Sequence, residues 1–409
     1  MKHFFILGNN PTMSFIEIKA VLSLKPADIL FFSEEILIVD INYDLDLQIM
    51  INKLGGTIKI GVIYNELPTR DVKQGVAGYE IATAEIFKLI NTDKINGKFN
   101  FGFSYYGAGK IDERKLAMEI KEALKEKDFS SRWVSSREKQ LSSVVVEQNK
   151  LLGDKGLEVV IIKNQNSYYI GTTSVVQPFK ELSKRDYGRP GRDDYSGMIP
   201  PKLAKMMINF TSKKPEGVLL DPFCGSGTIL TEAMLMGYKN LVGTDKSEKA
   251  VKDTRQNIIW IKDKCKVAGV KSQISQSDVR QLLKTLKPNS INLIVTEPYL
   301  GPPRMKRDKY SIQKVVTELE QLYHEAILQF DKILKNNGKV TMVWPVFMIE
   351  NNEPVFLNTK NILKNSSFQK TDSLFGFKNK VLKLTDRRTL LYKREGQKVA
   401  REIVTLQKQ

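Results

Sequence analysis

Apolar and polar residues alternate in short segments over the first part of the chain. Clusters of β-branched and aromatic residues predict strands at His3–Leu7, Ile29–Phe32 and Ile36–Val39. Apolar residues spaced three and four apart predict helices at Ser14–Leu22 and Leu45–Lys53. These elements together predict a small α+β domain over residues 1–62.

The next stretch, residues 63–177, mixes both periodicities and predicts a small α/β module. Its predicted helices are Tyr79–Leu89 and Asp112–Lys125, and its predicted strands are Asn100–Tyr105, Arg132–Val134, Val144–Val146 and the hairpin Leu157–Ile162 with Ser167–Thr173. Pro178 and the polar, glycine-containing run 184–192 then predict a linker over residues 178–195.

Residues 196–409 alternate apolar runs with helical patterns, which predicts an α/β domain with a mostly parallel sheet covered on both faces. The predicted strands are Gly217–Leu220, Asn240–Gly243, Gln273–Gln276, Ile291–Val295, Gly338–Trp344 and a late antiparallel pair, Ser366–Phe375 with Val381–Leu391. The order of elements is that of a Rossmann-like domain.

Composition narrows the class of protein. The chain has 409 residues, of which 41% are apolar, so it can form full cores in roughly two to three domains. It contains no apolar run near the roughly 20 residues that span a bilayer. Cys224 and Cys265 lack metal-ligand spacing, so no metal site is predicted, and a reducing cytoplasm is the simplest location. The net charge of +18 favours a polyanionic partner such as nucleic acid, unless it reflects only a lysine-rich proteome.

A glycine-rich turn is the strongest local motif. Asp221-Pro-Phe-Cys-Gly-Ser-Gly-Thr228 follows a predicted strand and precedes a helical pattern. Gly225 and Gly227 let the backbone approach a ligand, and the helix start offers free N–H groups. No lysine follows the last glycine, which excludes a triphosphate P-loop. The predicted ligand is S-adenosylmethionine, bound by Asp221, Pro222, Phe223, Gly225, Gly227 and Thr228.

Two further acids follow neighbouring predicted strands. Asp245 comes about 20 residues after the glycine turn, where an acid suits two ribose hydroxyls. Asp278 follows the next strand and is predicted to accept the adenine amine. Lys246 and Val279, directly after these acids, complete the predicted cofactor site. A nicotinamide enzyme is the natural alternative, but its third glycine is absent after Gly227.

The fourth strand of this domain leads into Thr296-Glu-Pro-Tyr-Leu300. The order of motifs resembles amino-methyltransferases whose fourth strand ends in Asp/Asn-Pro-Pro-Tyr/Phe. The resemblance implies that Glu297 and the Pro298 carbonyl accept the target amine and that Tyr299 stacks on the base. Two acceptors orient the amine, and either can take part in removing its proton. The sequence departs from the pattern, and an alternative alignment from the aromatic residue gives Thr296 the polar place.

More of the chain resembles the tRNA guanine-N(2) methyltransferases that act on the guanosine at position 10. The segments that carry this resemblance are Phe5–Pro11, Ser135–Val146, Asp186–Pro201, Asp221–Thr228 and Arg387–Arg394. The resemblance implies a ferredoxin-like domain at 1–62, a THUMP-like RNA-binding domain at 63–177 and a Rossmann-like methyltransferase domain at 196–409. It also implies tRNA as substrate and, in some members, a small activating partner protein.

Basic residues near these motifs are the predicted RNA contacts. Arg132, Trp133, Arg137 and Lys139 mix cationic and aromatic groups, although Trp133 is equally suited to a core. In the linker, Arg189 and Arg192 are predicted either to hold RNA or to cover the cofactor. The segment Thr296–Leu300 is called the reactive loop below, and three basic residues follow it: Arg304, Lys306 and Arg307. They are predicted to hold the backbone of a flipped nucleotide, or else to form a charged loop.

The sequence therefore predicts a cytoplasmic tRNA methyltransferase that transfers a methyl group directly from S-adenosylmethionine to the exocyclic amine of a flipped guanosine. No cysteine is placed to attack a base, so no covalent intermediate is expected. The alternatives are a ribosomal RNA guanine-N(2) methyltransferase, a DNA amino-methyltransferase and a non-catalytic RNA-binding protein that keeps the cofactor fold. Membrane association is not predicted.

Overall fold

The computed structural model describes residues 1–69, 83–95, 97–109, 111–193, 198–211, 215–302, 306, 308–349, 353–372, 374, 376–394 and 396–409. The chain forms two compact units. The N-terminal unit comprises Met1–Pro11, Leu24–Asn52 and Thr57–Pro178, and the C-terminal unit comprises Thr12–Ser23, Lys53–Gly56 and Phe179–Gln409.

The strands, in chain order, are β1 Lys2–Leu7, β2 Ile29–Phe32, β3 Ile36–Asp40, β4 Thr57–Pro68, β5 Phe99–Tyr106, β6 Ser131–Val134, β7 Gly156–Lys163, β8 Ser167–Val176, β9 Val218–Asp221, β10 Asn240–Asp245, β11 Lys271–Gln276, β12 Ile291–Thr296, β13 Leu334–Met348, β14 Pro354–Phe356, β15 Phe368–Lys370, β16 Leu390–Tyr392 and β17 Val399–Lys408.

The α-helices, in chain order, are α1 Pro11–Leu22, α2 Leu47–Lys53, α3 83–88, α4 Glu113–Lys125, α5 Ser143–Gln148, α6 Phe179–Tyr187, α7 Pro201–Phe210, α8 Thr228–Leu235, α9 Glu248–Lys264, α10 Lys309–Ile333 and α11 Thr359–Leu363. The start of the predicted helix Tyr79–Leu89 lies outside the described residues.

A single sheet runs through the N-terminal unit, in the order β2-β3-β1-β4-β8-β7-β5-β6. Strand β5 is parallel to β6 and β7, and the other described pairs in this sheet are antiparallel. A buried ion pair ties its centre together: Lys59 on β4 contacts Glu158 on β7, and the Thr173 hydroxyl on β8 donates to the same carboxylate at 2.6 Å. The sheet thus spans both predicted N-terminal regions, and their division at residue 62 stays a prediction.

The predicted strand Val144–Val146 is wrong, because these residues belong to helix α5. Three consecutive valines favour a strand, but the Ser142 hydroxyl accepts a hydrogen bond from the Val145 N–H at 3.2 Å and caps a helix instead. Val146 is buried with Leu141 and Leu151 in a small core under the sheet. Tertiary packing and the cap therefore outweigh the strand propensity.

The sheet of the C-terminal unit has the order β11-β10-β9-β12-β13-β17-β15, with β14 on β13 and β16 on β17. The neighbouring strands β11, β10, β9, β12 and β13 are all parallel, and β17 is antiparallel to β13. The strand order reverses between β9 and β12, which are neighbours although 69 residues separate their ends in sequence. Ligands of open α/β sheets bind outside the carboxyl ends of the strands at such a reversal.

Helix α10 covers one face of this sheet. Its buried side chains recur every three or four residues, from Ile312 and Val316 to Tyr323 and Phe330, and they pack into the same core as the centre of the sheet. Strand β12 contributes Leu293, Ile294 and Val295, which are all buried, as expected for a strand covered on both faces. The core thus fixes the strand ends that carry the site.

Two predicted features of this unit differ from the structure. The late strands Ser366–Phe375 and Val381–Leu391 do not pair with each other; β15 and β16 both pair with β17, through Phe368–Lys408 and Leu390–Ile403. The pattern of β17 was hidden because Arg401 and Glu402 interrupt its apolar run. Within the predicted linker, residues Phe179–Tyr187 form helix α6, which buries Leu182.

Helix α1 belongs to the C-terminal unit apart from Pro11, and its Glu17 is fully buried there. The Glu17 carboxylate accepts hydrogen bonds from the Gly55 and Gly56 N–H groups at 2.7 and 2.8 Å and from the Asn209 amide at 2.7 Å. Burial raises the pKa of Glu17 to about 7, although these three hydrogen bonds and nearby Lys205 lower it. The folded unit therefore holds a proton that an unfolded chain releases.

This buried acid predicts a pH dependence of stability. Since the pKa of Glu17 is higher in the folded state, its contribution is fully present below pH 4.5 and is lost as the pH rises through about 7. We expect Glu17→Gln to reduce this loss by about 2–3 kcal/mol. Urea unfolding of both proteins at pH 5 and pH 8 measures it. An unchanged difference between the two pH values in the variant would contradict the assignment.

Candidate active site

Strands β9 and β12 bring two functional segments together at the reversal of strand order. Asp221 ends β9 and is buried, and its carboxylate accepts a 2.7 Å hydrogen bond from the Thr296 hydroxyl at the end of β12. The Phe223 N–H donates to the same oxygen at 3.3 Å. Asp221 thus joins the start of the glycine turn to the start of the reactive loop.

The surroundings of the buried Asp221 carboxyl shift its pKa. Burial raises the pKa of Asp221 to about 7, while the hydrogen bonds from Thr296 and Phe223 lower it. The carboxylates of Asp245 and Glu297 also raise it, because three acids converge at this edge of the sheet. A cationic ligand here would relieve the repulsion among these acids, which fits a sulfonium better than a phosphate.

The glycine turn has the backbone that the sequence predicts. Gly225 and Gly227 have φ values of +51° and +82°, in the left-handed region that favours glycine. The Gly227 N–H donates to the Cys224 carbonyl at 2.7 Å, and helix α8 begins at the next residue, Thr228. Thr254 on α9 supports the turn by donating to the Gly225 carbonyl at 2.7 Å.

The space beside each glycine shows whether the turn leaves room for a cofactor. A β-carbon added at Gly225 would meet no other atom within 4 Å, whereas one at Gly227 would lie 2.9 Å from the Thr254 methyl carbon. Gly225 thus borders open space that a ligand can enter, and Gly227 packs inward against α9. The residues present fit S-adenosylmethionine, with Pro222 and Phe223 on the approach to the turn.

The contrast between the two glycines yields a prediction. We expect Gly225→Ala to fold with a small loss of stability, about 1 kcal/mol from its positive φ, but to bind S-adenosylhomocysteine about tenfold or more weakly. Gly227→Ala should instead lower the free energy of unfolding by more, about 2–3 kcal/mol, because the added methyl also meets Thr254. Thermal unfolding with and without S-adenosylhomocysteine separates the two effects. Equal affinity in Gly225→Ala and the parent would contradict this picture.

Asp245 lies half-buried at the end of β10 and contacts the turn directly. One carboxylate oxygen accepts from the Gly225 N–H at 3.0 Å, and the other accepts from the Ser247 N–H at 2.9 Å. The Ser247 hydroxyl in turn caps α9 by accepting a hydrogen bond from the Ala250 N–H. Each carboxylate oxygen keeps a further lone pair, so Asp245 can still accept two ribose hydroxyls.

Asp278 caps the 3₁₀ segment Val279–Lys284, and Val279 is buried beneath it. Arg280 holds the Asp278 carboxylate with both its side chain and its N–H, at distances of 2.6 to 2.9 Å. These contacts lower the pKa of Asp278 to about 2, so the acid stays ionised. Arg280 is a partner that sequence reasoning missed, although it lies only two residues away.

Glu297 is held by a residue from the far end of the chain. Its side chain forms a salt bridge with Arg401 on β17, and each side chain is less than 15% exposed. Arg401 also donates to the Gln397 side-chain oxygen at 3.2 Å. The contact engages one oxygen of Glu297, Oε1. Sequence reasoning missed Arg401, because β17 was not predicted.

The next residues of the reactive loop divide into a buried and an exposed part. Pro298 is buried, while Tyr299 is 50% exposed and Lys246 lies over its ring at 6.0 Å from the centroid. The Tyr323 hydroxyl fixes the backbone beneath by donating to the Tyr299 carbonyl at 2.7 Å. The loop therefore presents an aromatic ring beside the residue that follows Asp245.

Two alternatives raised by the sequence can be compared with this geometry. Thr296 is fully buried and its hydroxyl donates to Asp221, which favours the alignment that gives the polar place to Glu297. Cys224 is buried, and burial raises the pKa of its thiol well above the usual range. A neutral, enclosed thiol is a poor nucleophile, and direct transfer stays a prediction.

The predicted RNA contacts occupy different environments. Arg132 and Arg137 are exposed. The Lys139 ammonium donates to the Gly109 carbonyl at 2.9 Å and lies over the Tyr105 ring. The Trp133 side chain is half-buried and packs against the core around Phe101. Arg189 is buried and donates to the Thr228 hydroxyl, which favours its alternative role of covering the cofactor turn. Arg192 donates to the Tyr187 carbonyl, and Lys306 is exposed. Arg304 and Arg307 lie outside the described residues.

The fold and the site define the class. Residues 189–352 match a family model described as an RMKL-like methyltransferase domain. TrmN from Thermus thermophilus superposes over the full length of both chains, with 13% identity and a TM-score of 0.55, so the two share a fold. The C-terminal unit is therefore a methyltransferase domain, and S-adenosylmethionine is its cofactor, as the glycine turn predicts.

Parts of the chain are similar in sequence to named methyltransferases. A tRNA (guanine(10)-N2)-dimethyltransferase of Methanocaldococcus jannaschii is 27% identical over 268 residues, which cover 62% of this chain and 70% of that protein. An enzyme of the same name from Methanothermobacter thermautotrophicus is 32% identical over 155 residues, 38% of this chain and 40% of the relative. A DNA methylase family model also matches, over residues 84–256.

No helix in the described ranges is both long and apolar enough to cross a bilayer. Within the same ranges, His, Cys, Asp and Glu side chains form no group of three or more that could hold a metal ion.

Proposed function

We propose that this chain methylates the exocyclic amine of a guanosine in tRNA, at the position named for its relatives, with S-adenosylmethionine as donor. The observation that carries the proposal is the hydrogen bond between Asp221 and Thr296, because it joins the cofactor turn to the loop that presents Glu297. A donor bound at the turn and an amine held by that loop would share one edge of the sheet.

The reactive loop supplies the acceptors for the amine. S-adenosylmethionine provides the electrophilic methyl group. One Glu297 oxygen is engaged by Arg401, and the other accepts a hydrogen bond from the amine together with the Pro298 carbonyl. Both acceptors orient the nitrogen lone pair, and the carboxylate stabilises the cationic amine before its proton leaves.

A base must leave its stack to reach this loop. Tyr299, half-exposed beside Lys246, is suited to stack on a flipped base, which would offset part of the few kcal/mol that unstacking costs. The N-terminal unit, with Arg132 and Arg137 exposed on and after β6, is proposed to bind the tRNA body as a ferredoxin-like and THUMP-type region.

Transfer of labelled methyl groups to unmodified total tRNA, followed by nucleoside analysis, tests the proposal. The expected product is guanosine methylated on its exocyclic amine, once or twice. Parallel reactions with ribosomal RNA and with duplex DNA identify another substrate if tRNA stays unlabelled. Absence of label in every nucleic acid, with S-adenosylmethionine bound, would indicate a required partner protein or a protein that only binds RNA.

A DNA amino-methyltransferase is the second candidate, because a DNA methylase model matches residues 84–256 and the reactive loop suits any exocyclic amine. The same experiment separates the two. Label in adenine or cytosine of DNA, and none in tRNA, would replace the first proposal with this one.

A further inference from the structure

A group of cationic side chains on the C-terminal unit lies in the turn that is linked to Glu297 of the reactive loop. Strands β16 and β17 are joined by a turn that the Gln397 N–H closes by donating to the Arg394 carbonyl at 3.1 Å. Exposed side chains of Lys393, Arg394 and Lys398 surround it. Glu395, between them in sequence, lies outside the described residues.

The turn is connected to Glu297 by side-chain contacts. Arg401, which pairs with Glu297, donates to the Gln397 side-chain oxygen at 3.2 Å, and the Arg394 N–H donates to the same oxygen at 3.2 Å. Tyr392 lies opposite Arg401 in the strand pair. The backbone of the turn at Arg394 is therefore linked through one side chain, that of Gln397, to the residue that pairs with Glu297.

The environment of these cations favours an anion. Arg394 contacts neutral groups in the described part of the chain: its Nε donates to the Tyr392 hydroxyl at 2.7 Å, and its guanidinium lies over the Tyr392 ring. Lys202 lies in the first turn of α7. Partial burial and the charge of Arg394 lower the pKa of Lys202, and Asp186 opposes them. Like charges held together in this way gain from a bound anion.

We propose that Lys393, Arg394 and Lys398 bind the phosphate backbone of the nucleic-acid substrate next to the nucleotide that enters the reactive loop. This inference rests on the proposed function, since it takes the substrate to be a nucleic acid. Phosphates on either side of a flipped nucleotide need cations that are fixed relative to the base pocket. The link through Gln397 and Arg401 provides that fixed spacing.

The test is the triple variant Lys393→Ala/Arg394→Ala/Lys398→Ala. A charge-matched control, Lys252→Ala/Lys264→Ala/Lys266→Ala, removes three exposed cations from α9 and the residues just after it, toward the β11 edge of the sheet. Affinity for unmodified tRNA is measured against salt concentration, with equal-length duplex DNA as a second probe. Binding of S-adenosylhomocysteine and the thermal midpoint show that each variant folds.

The turn variant should bind tRNA about tenfold or more weakly than the parent, and its plot of log affinity against log salt should lose about two units of slope. In turnover, KM for tRNA should rise in parallel while kcat changes by less than about twofold, since phosphate contacts act on binding. The fold change in tRNA affinity of the control variant should be less than half the fold change of the turn variant.

The outcomes separate this inference from the proposed function. A turn variant with the parent's affinity and salt slope overturns the inference, while methylation of tRNA by the parent keeps the function. An equal loss in the turn variant and the control also overturns it, because the effect is then one of net charge. If the parent binds and methylates DNA alone and the turn variant loses that binding, the surface stands and the tRNA proposal falls. A parent that binds neither overturns both.

Discussion

Replacement of Glu297 by Gln is expected to reduce methyl transfer by about 100- to 1000-fold, with affinity for S-adenosylmethionine unchanged within about twofold. Gln keeps the shape and one acceptor oxygen but removes the negative charge that faces the developing cation on the amine. It also leaves the Arg401 guanidinium without its carboxylate partner in a nearly buried position. The loss should fall on kcat rather than on KM for tRNA, because the charge acts mainly as the amine becomes cationic.

Single-turnover transfer of labelled methyl to tRNA measures this effect, with S-adenosylhomocysteine titration as the binding control. Arg401→Gln is the matched variant, since Arg401 acts on the amine only through Glu297 as a positioning residue. If Arg401 positions Glu297, the double variant should be little slower than Glu297→Gln alone. Full activity of Glu297→Gln, or additive losses in the double variant, would remove Glu297 and its partner from the mechanism.

The parts of the site that could be predicted from sequence are those built from residues close together in the chain. Asp221, Gly225 and Gly227 lie within one strand, turn and helix start, so their backbone roles follow from local rules. Asp245 and Asp278 could also be placed, because parallel strands in series end at one edge of a sheet. The Ser247 cap of α9 is a further local feature of this kind, because it joins residues only three positions apart.

Long-range partners could not be predicted in the same way. Arg401 reaches Glu297 across 104 residues, through a strand whose two central charged residues conceal its apolar pattern. Helix α1 is another example, because long-range contacts such as those of Glu17 with Asn209 and of Phe15 with Phe377 place it in the C-terminal unit. Pairings of this kind depend on the assembled fold, and a single sequence carries no signal for them.

The largest effect on cofactor binding is expected from Asp245→Ala, which should weaken S-adenosylhomocysteine by about 100-fold or more. The substitution removes the two acceptors for ribose hydroxyls, each charge-assisted. It also frees the Gly225 and Ser247 N–H groups, which Asp245 holds at 3.0 and 2.9 Å, so the glycine turn loses part of its preorganised shape. Asp245→Asn retains one acceptor oxygen and should lose less, about tenfold.

Thermal unfolding in the presence of ligand gives the sharpest readout for Asp245. A ligand present at about 100 times its Kd stabilises the parent by about 2.7 kcal/mol, and a 100-fold loss of affinity reduces this to less than about 0.5 kcal/mol. Asp263→Ala is the matched control, because Asp263 is exposed on α9 and pairs only weakly with Lys266 at 3.6 Å. The control should keep the parent's full ligand-induced shift. If Asp245→Ala keeps it too, the ribose contact must be assigned to another residue, since the charge at the end of β10 would then contribute nothing to cofactor binding.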